Sequence, residues 1–203
     1  MFIQRLLSAS RIINPTFKKW VKKMPEDNKG TTYSYDVCID CKNICCQDAK
    51  PPVSESRIKI IKEYLQKQKV KVETPFTKKN YSYLSVDETL LCKFNSKETQ
   101  KCIIHSVKPE TCRAGPITFD INFKTKKVGY FLKKSEICAY AGELYKSKSA
   151  FKDHFEVAKE EIMRLIKELD ADELRVLMKI EEPETFKVGE EALPFEVVKK
   201  LGL

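Results

Sequence analysis

The stretch Cys38-Ile-Asp-Cys41-Lys-Asn-Ile-Cys45-Cys46 places four cysteines within nine residues, in the spacing C-x2-C-x3-C-C. Thiolates are strong ligands for zinc and for iron–sulfur clusters. In a C-x2-C pair both sulfurs can reach one metal across a single turn, with bonds of about 2.3 Å. This stretch, which we call the knuckle (residues 36–48), therefore predicts a metal centre around which the fold is organised.

The other cysteines follow at wider spacing and bring the total to eight. Eight thiols would complete two four-coordinate sites, and each site would draw sulfurs from both parts of the sequence. Because neighbouring residues tend to point opposite ways, the adjacent pair in the knuckle is expected to serve two sites, or to leave one thiol free. The predicted metal ligands are Cys38, Cys41, Cys45, Cys46, Cys92, Cys102, Cys112 and Cys138.

Three further residues near these cysteines are candidates for supporting roles. His105, three residues after Cys102, is a possible ligand, but a hydrogen-bond donor outside the ligand set explains it better. Arg113 could donate hydrogen bonds to a sulfur or form a surface salt bridge, and the sequence favours neither. His154 is expected at the surface or at its boundary. No motif of a known catalytic or nucleotide-binding site occurs in the chain, so catalytic residues are not predicted.

Composition narrows the class of protein. The chain has 203 residues, is 42% hydrophobic and carries a formal net charge of +9. It therefore suits one domain with a real core, and no apolar stretch reaches the roughly 20 residues that cross a bilayer. Two cluster sites, each with a charge of about −2, would offset part of the basic excess. The sequence shows no nucleic-acid-binding frame, so we expect a protein partner rather than nucleic acid or a membrane.

Disulfides are the main alternative use of eight cysteines. The N-terminus lacks a continuous apolar signal core with a small-residue cleavage site, and the chain is longer than the disulfide-dense miniproteins. Its first acidic residue is Glu26, so the segment before it is basic, and we expect a short packing helix or an interaction arm rather than a mitochondrial presequence, which has a similar composition. We therefore expect reduced thiols and a cytoplasmic location.

The hydrophobic patterns predict an α+β fold: a small irregular metal-centred domain with short antiparallel strands, flanked by helices, and a helical C-terminal region. The predicted domains are a basic arm at 1–30, a cysteine-cluster domain at 31–147 and a helical region at 148–203. Caps and periodicity predict individual elements. These are a helix over 54–68, short strands near 81–83 and 90–94, a hairpin over 116–132, and helices over 151–169, 170–180 and 191–201.

As a set, the motifs resemble the zinc- or iron-chelating cysteine-cluster family of the YkgJ type, over roughly residues 36–145. The knuckle, the run Cys102-Ile-Ile-His105 and the run Lys108-Pro109-x2-Cys112-Arg113-x2-Pro116 carry the resemblance. It implies binding of zinc or an iron–sulfur cluster, without an assigned reaction for most members. A bacterial flagellin lysine methylase carries a similar cluster.

Three functions follow as expectations. The first is a cytosolic protein that holds a 4Fe-4S cluster, with one or two such sites. It would serve a partner protein as an accessory or electron-transfer module. Eight thiols without a clear histidine ligand favour iron–sulfur over zinc. The second is a structural zinc-binding subunit of a larger assembly. The third is a protein-modifying enzyme related to methyltransferases, which would need an open metal position or a substrate pocket.

Overall fold

The computed structural model describes residues 45–181 and 184–203. The predicted basic arm and the first two cysteines of the knuckle lie outside these residues. The elements of the described residues are α1 (Glu55–Lys67), β1 (Phe76–Lys78), β2 (Ser82–Leu84), a 3-10 turn (His105–Val107), α2 (Glu110–Ala114), β3 (Ile117–Asn122), β4 (Lys127–Lys133), α3 (Ala139–Tyr145), α4 (Lys148–Glu168), α5 (Ala171–Leu177), β5 (Thr185–Ala192) and α6 (Phe195–Leu201).

Helices combine with two small antiparallel sheets, so the predicted α+β class is confirmed. One sheet pairs β1 with β2, and the other has the order β3-β4-β5. Within the described ranges, no helix is both long enough and apolar enough to cross a bilayer.

The larger of two hydrophobic cores lies between the three-stranded sheet and helix α4. The side chains of Phe151, Ile162 and Leu165 on α4 are fully buried, because apolar residues recur on one face of the helix. The sheet contributes Val128 and Tyr130, also fully buried. Burial of this amphipathic face explains why a 21-residue helix is stable at this position.

The smaller core lies under the cysteine-bearing loops. Helix α1 begins after Ser54, whose hydroxyl accepts a hydrogen bond from the Arg57 N–H, and it buries Ile61. Phe94 and Ile104, which come from irregular loops, are each 0% exposed in the same core. Local apolar anchors thus hold segments that have almost no regular secondary structure.

Several expectations about local structure are corrected. Residues 90–94 form no strand: Cys92 makes only an isolated bridge to Val86, because the chain turns around this cysteine. The strand predicted near 81–83 covers Ser82–Leu84, and both Tyr81 and Tyr83 are buried. Strand β5 was not predicted, and it pairs antiparallel with β4. The domain boundaries at 30/31 and 147/148 stay predictions.

Candidate metal centre

Six of the eight predicted ligands lie in the described residues, and none of the six forms a disulfide. Cys38 and Cys41 lie outside those residues. Cys92 belongs to the smaller core, and Cys46 and Cys102 pack against it. Cys138 instead packs against the larger core, which also includes Ala114, two residues after Cys112. The cysteines therefore lie where the two cores meet.

Cys92 opens a tight turn that brings one backbone N–H near its sulfur. The N–H of Phe94 donates a hydrogen bond to that sulfur, and the N–H of Asn95 donates to the Cys92 carbonyl at 2.8 Å. The Phe94 side chain points into the core and is fully buried. The buried ring therefore fixes the turn, and the turn presents a sulfur that already accepts one hydrogen bond.

Cys102 repeats this arrangement. The N–H of Ile104 donates to the Cys102 sulfur, and the N–H of His105 donates to the Cys102 carbonyl at 3.2 Å. The Ile103 N–H bonds the Phe94 carbonyl at 2.9 Å, so the two turns lie side by side. Hydrogen bonds to a sulfur favour its thiolate form, which is the form that binds metal. The pair of turns therefore suits metal ligation.

The adjacent Cys45 and Cys46 are hydrogen-bonded to each other through their side chains. This bond raises the pKa of the Cys45 thiol, which donates, and lowers the pKa of Cys46, which accepts. The nearby Asn95 side chain also acts to lower the pKa of Cys46, and the Cys46 carbonyl accepts from the Cys92 N–H at 2.9 Å. The two sulfurs therefore lie near each other, and the expectation that they serve two sites, or leave one thiol free, stays a prediction.

Electrostatic coupling joins the Cys112 thiol, on helix α2, to this group. Burial raises the pKa of Cys92, of Cys102 and of Cys112. The nearby Cys45 side chain raises the pKa of all three further. Five thiols therefore lie close enough to influence one another: Cys45, Cys46, Cys92, Cys102 and Cys112. We call these five the thiol cluster.

Two lysines border the thiol cluster. The Lys108 ammonium acts to lower the pKa of Cys45, Cys102 and Cys112, and Lys133 acts on Cys45 in the same direction. Lys133 ends strand β4, and the loop that follows leads to Cys138, the residue before helix α3. This loop therefore borders the thiol cluster, although Cys138 itself lies half-buried against the larger core.

The thiol cluster is not by itself a closed site. Among the residues that the structure describes, no three His, Cys, Asp or Glu side chains converge closely enough to hold a metal ion. The donor chemistry nevertheless fits zinc or iron, since thiolates are the soft ligands that both take. A complete ligand set therefore needs closer approach of these thiols or further donors, and the sequence offers Cys38 and Cys41.

The other candidates have clear positions. The His105 side chain is exposed, next to the turn at Cys102. Of the two roles that the sequence left open for Arg113, the structure shows an ion pair: its Nε lies 2.7 Å from Glu161 Oε1. His154 is buried rather than on the surface, with its Nε2 3.1 Å from the Ala114 carbonyl oxygen. That contact joins helix α4 to the end of helix α2, which carries Cys112.

The sequence reading missed a buried network of charges beside the thiol cluster. Glu161 contacts Arg57 Nη2 at 2.6 Å, and Arg57 Nε lies 3.5 Å from Glu110. The Glu110 carboxylate is 0% exposed and also accepts from the Ser54 hydroxyl at 2.6 Å. A signal was present, because Glu161 falls on the apolar face of α4, where a charged residue needs a buried partner.

Comparison with known proteins adds one finding. Residues 37–139 match the family model CxxCxxCC, which is described as "Putative zinc- or iron-chelating domain". The match covers just over half of the chain and includes the thiol cluster. A search of curated proteins and a search of solved structures returned no match.

Proposed function

Because this chain belongs to the CxxCxxCC family of zinc- or iron-chelating domains, we propose that its cysteines hold an iron–sulfur cluster at the junction of the two cores. The thiol cluster carries this proposal. Five sulfurs from four separate segments act on one another electrostatically, and the knuckle adds two more thiols in sequence. Thiolates are the usual ligands of iron–sulfur clusters.

The charge around the sulfurs supports a cluster. An oxidised cubane with four thiolates carries a net charge of about −2, and such a charge near buried groups needs compensation. Lys108 and Lys133 supply positive charge on the side of Cys45. The N–H donors at the turns of Cys92 and Cys102 would stabilise negative sulfur and tune the reduction potential of a bound cluster.

An accessory or electron-transfer role for a partner protein is the second part of the proposal. Leu90, two residues before Cys92, is 47% exposed and adopts a positive φ of 65°, which is uncommon for leucine. Ile137, beside Cys138, is also exposed. Apolar side chains exposed close in sequence to two of the proposed ligands would suit docking of another protein.

Zinc is the alternative, favoured by one observation. The matched turns at Cys92 and Cys102 present two sulfurs side by side from rigid loops, as a tetrahedral zinc ion requires. A zinc ion has no redox chemistry, so this alternative makes the centre a structural support for a subunit of an assembly. The two candidates share most ligands and differ in the metal.

Anaerobic purification of the full chain distinguishes these candidates. We expect iron and acid-labile sulfide in equal amounts, with absorption near about 400 nm that dithionite removes. Cys92→Ser and Cys102→Ser should each lose most of the metal, whereas Ser96→Ala, in the loop between them, should keep it. A colourless protein with stoichiometric zinc would replace the iron–sulfur proposal with the zinc alternative. A chain that retains neither metal would contradict both.

A further inference from the structure

Arg113 joins the segments that carry two of the proposed ligands. It directly follows Cys112 in helix α2, and its guanidinium makes two contacts. Nη1 donates to the Ser106 carbonyl at 3.2 Å, and Nε donates to Glu161 Oε1 at 2.7 Å. Ser106 lies in the 3-10 turn that follows the turn at Cys102. One rigid, planar group therefore connects the Cys112 helix, the Cys102 loop and helix α4.

The carboxylate that holds Arg113 is buried. Glu161 is 5% exposed and is shared by three guanidinium groups, since Arg57 lies 2.6 Å and Arg164 3.3 Å from its Oε2 atom. The pair between Arg113 and this buried carboxylate is a charge-assisted hydrogen bond, which fixes the orientation of the guanidinium. The contact with Arg113 is therefore unlike an exposed surface pair, which contributes little.

The same network of charges also holds the start of helix α2. Arg57 also contacts Glu110, the first residue of the helix, so that Glu110, Arg57, Glu161 and Arg113 form a chain of alternating charges. Glu110 and Arg113 stand on either side of Cys112. Both ends of this five-residue helix are thus fixed, one to helix α1 and one to helix α4. The position of the Cys112 sulfur is set by these contacts rather than by the short helix itself.

From this geometry we infer that Arg113 is a positioning residue of the metal centre: it holds Cys112 at a fixed distance from Cys102 without touching the metal. The inference rests on the proposed ligation by these two cysteines. Residues that orient metal ligands from outside the ligand set affect metal affinity by about 10- to 100-fold when they are replaced. Arg113 should belong to this class, whichever metal the site takes.

The test compares Arg113→Gln with a matched control, Arg164→Gln. Arg164 pairs with the same carboxylate, but it projects from helix α4 and its described contact reaches neither Ser106 nor helix α2. Reduced, metal-free full-length protein is titrated with Co²⁺, whose absorption bands report thiolate ligation and its geometry. We expect R113Q to raise the Kd for Co²⁺ by about 10- to 100-fold and to shift the visible bands. R164Q should keep both the Kd and the bands of the wild type.

A conservative variant separates positioning from folding. The ammonium of R113K can reach the carboxylate or the carbonyl but cannot fork between both. It should therefore fold and still bind Co²⁺ several-fold more weakly than wild type. Thermal unfolding of the metal-free proteins gives the structural cost of each change. The inference requires that the Kd and the band positions change more than the loss of thermal stability explains. If R113Q does not fold, the result for R113K decides.

Three results would overturn the inference. R113Q and R113K could bind Co²⁺ as tightly as wild type and with the same spectrum. R164Q could lose as much affinity as R113Q, which would show that removing any positive charge beside Glu161 weakens Co²⁺ binding and that the contacts of Arg113 are not special. The wild type could bind no Co²⁺ at all, in which case the proposed function fails first and the role of Arg113 fails with it. In the first two cases the proposed metal centre stands.

Discussion

The two cores are held together in different ways. In the larger core, β3 and β4 pair without interruption from Ile117↔Leu132 to Asn122↔Lys127, and β5 extends the sheet. The smaller core has one sheet of two three-residue strands, and its cysteine loops make only isolated bridges. A regular ladder satisfies backbone groups without help, whereas loops of this kind depend on turns, apolar anchors and, we expect, a metal ion.

Backbone conformation shows the same contrast. Of the seven described non-glycine residues with positive φ, five lie between residues 48 and 100, and two lie elsewhere: the five are Asp48, Lys69, Thr74, Leu90 and Gln100. Such conformations are unfavourable for most side chains, and they persist where the surrounding structure determines them. The cysteine region is therefore the part of the molecule that has most to gain from a ligand that fixes its loops.

The largest expected difference between the two regions appears when the metal is removed. In proteins whose sites form only on folding, metal binding supplies much of the folding free energy. A chelator under reducing conditions should open the smaller core and leave the larger one folded. Hydrogen exchange should show amides of residues 45–112 losing protection while those of β3, β4 and α4 keep theirs. Equal loss in both regions would mean that the two cores unfold as one unit.

Truncation of one buried phenylalanine in each core sharpens the comparison. Phe151→Ala and Phe94→Ala each remove a fully buried ring and should cost about 3–5 kcal/mol of unfolding free energy. Only Phe94→Ala should also reduce metal content, because Phe94 fixes the turn at Cys92. Urea unfolding and metal analysis of the same samples measure both effects. A comparable metal loss in Phe151→Ala would contradict the independence of the larger core.

Replacement of either of two glycines by alanine tests the packing of the larger core, and the two replacements should change the stability in opposite directions. A Cβ at Gly189 would lie 2.7 Å from Phe155 Cζ, so Gly189→Ala should destabilise the protein by about 1–3 kcal/mol. At Gly142, inside helix α3, a Cβ would make only an ordinary contact with Ser135, and alanine should add up to about 1 kcal/mol. Thermal unfolding compares the two variants, and a destabilising Gly142→Ala would contradict the expectation that a Cβ fits at this position.

The smallest expected effect concerns helix caps in the two regions. Asp170 and Glu173 form a capping box on α5, and Asp170→Ala should cost about 1 kcal/mol. Ser54 caps α1 and also donates to the buried Glu110 carboxylate, so Ser54→Ala should cost more than Asp170→Ala. Denaturant titration gives the order of the two, and equal costs would show that the Ser54–Glu110 contact adds little.

Local signals made much of the fold predictable. Ser54 and Asp170 mark helix starts through their own side chains, and alternation from Ile117 to Ile121 marks the hairpin. Strand β5 lacked such a signal, because its second half is Gly-Glu-Glu-Ala and its stability comes from pairing with β4. Residues 90–94 resembled a strand in composition, but Cys92 makes the chain turn there.

The candidate site was predictable in its residue types but not in its support. Eight cysteines at these spacings have few uses other than metal ligation, so the donors could be named from the sequence alone. Arg57, Glu110 and Glu161 could not be connected in this way, because they are brought together only by the packing of three helices. Contacts between distant parts of the chain leave little trace in any single stretch of sequence.

The partner that fixes Arg113 stands 48 positions later in the chain. All eight cysteines precede helix α4 in the chain, so a ribosome synthesises each of them before it reaches Glu161. Docking of α4 then supplies this carboxylate, and the position of Cys112 is fixed only after that late helix has been made.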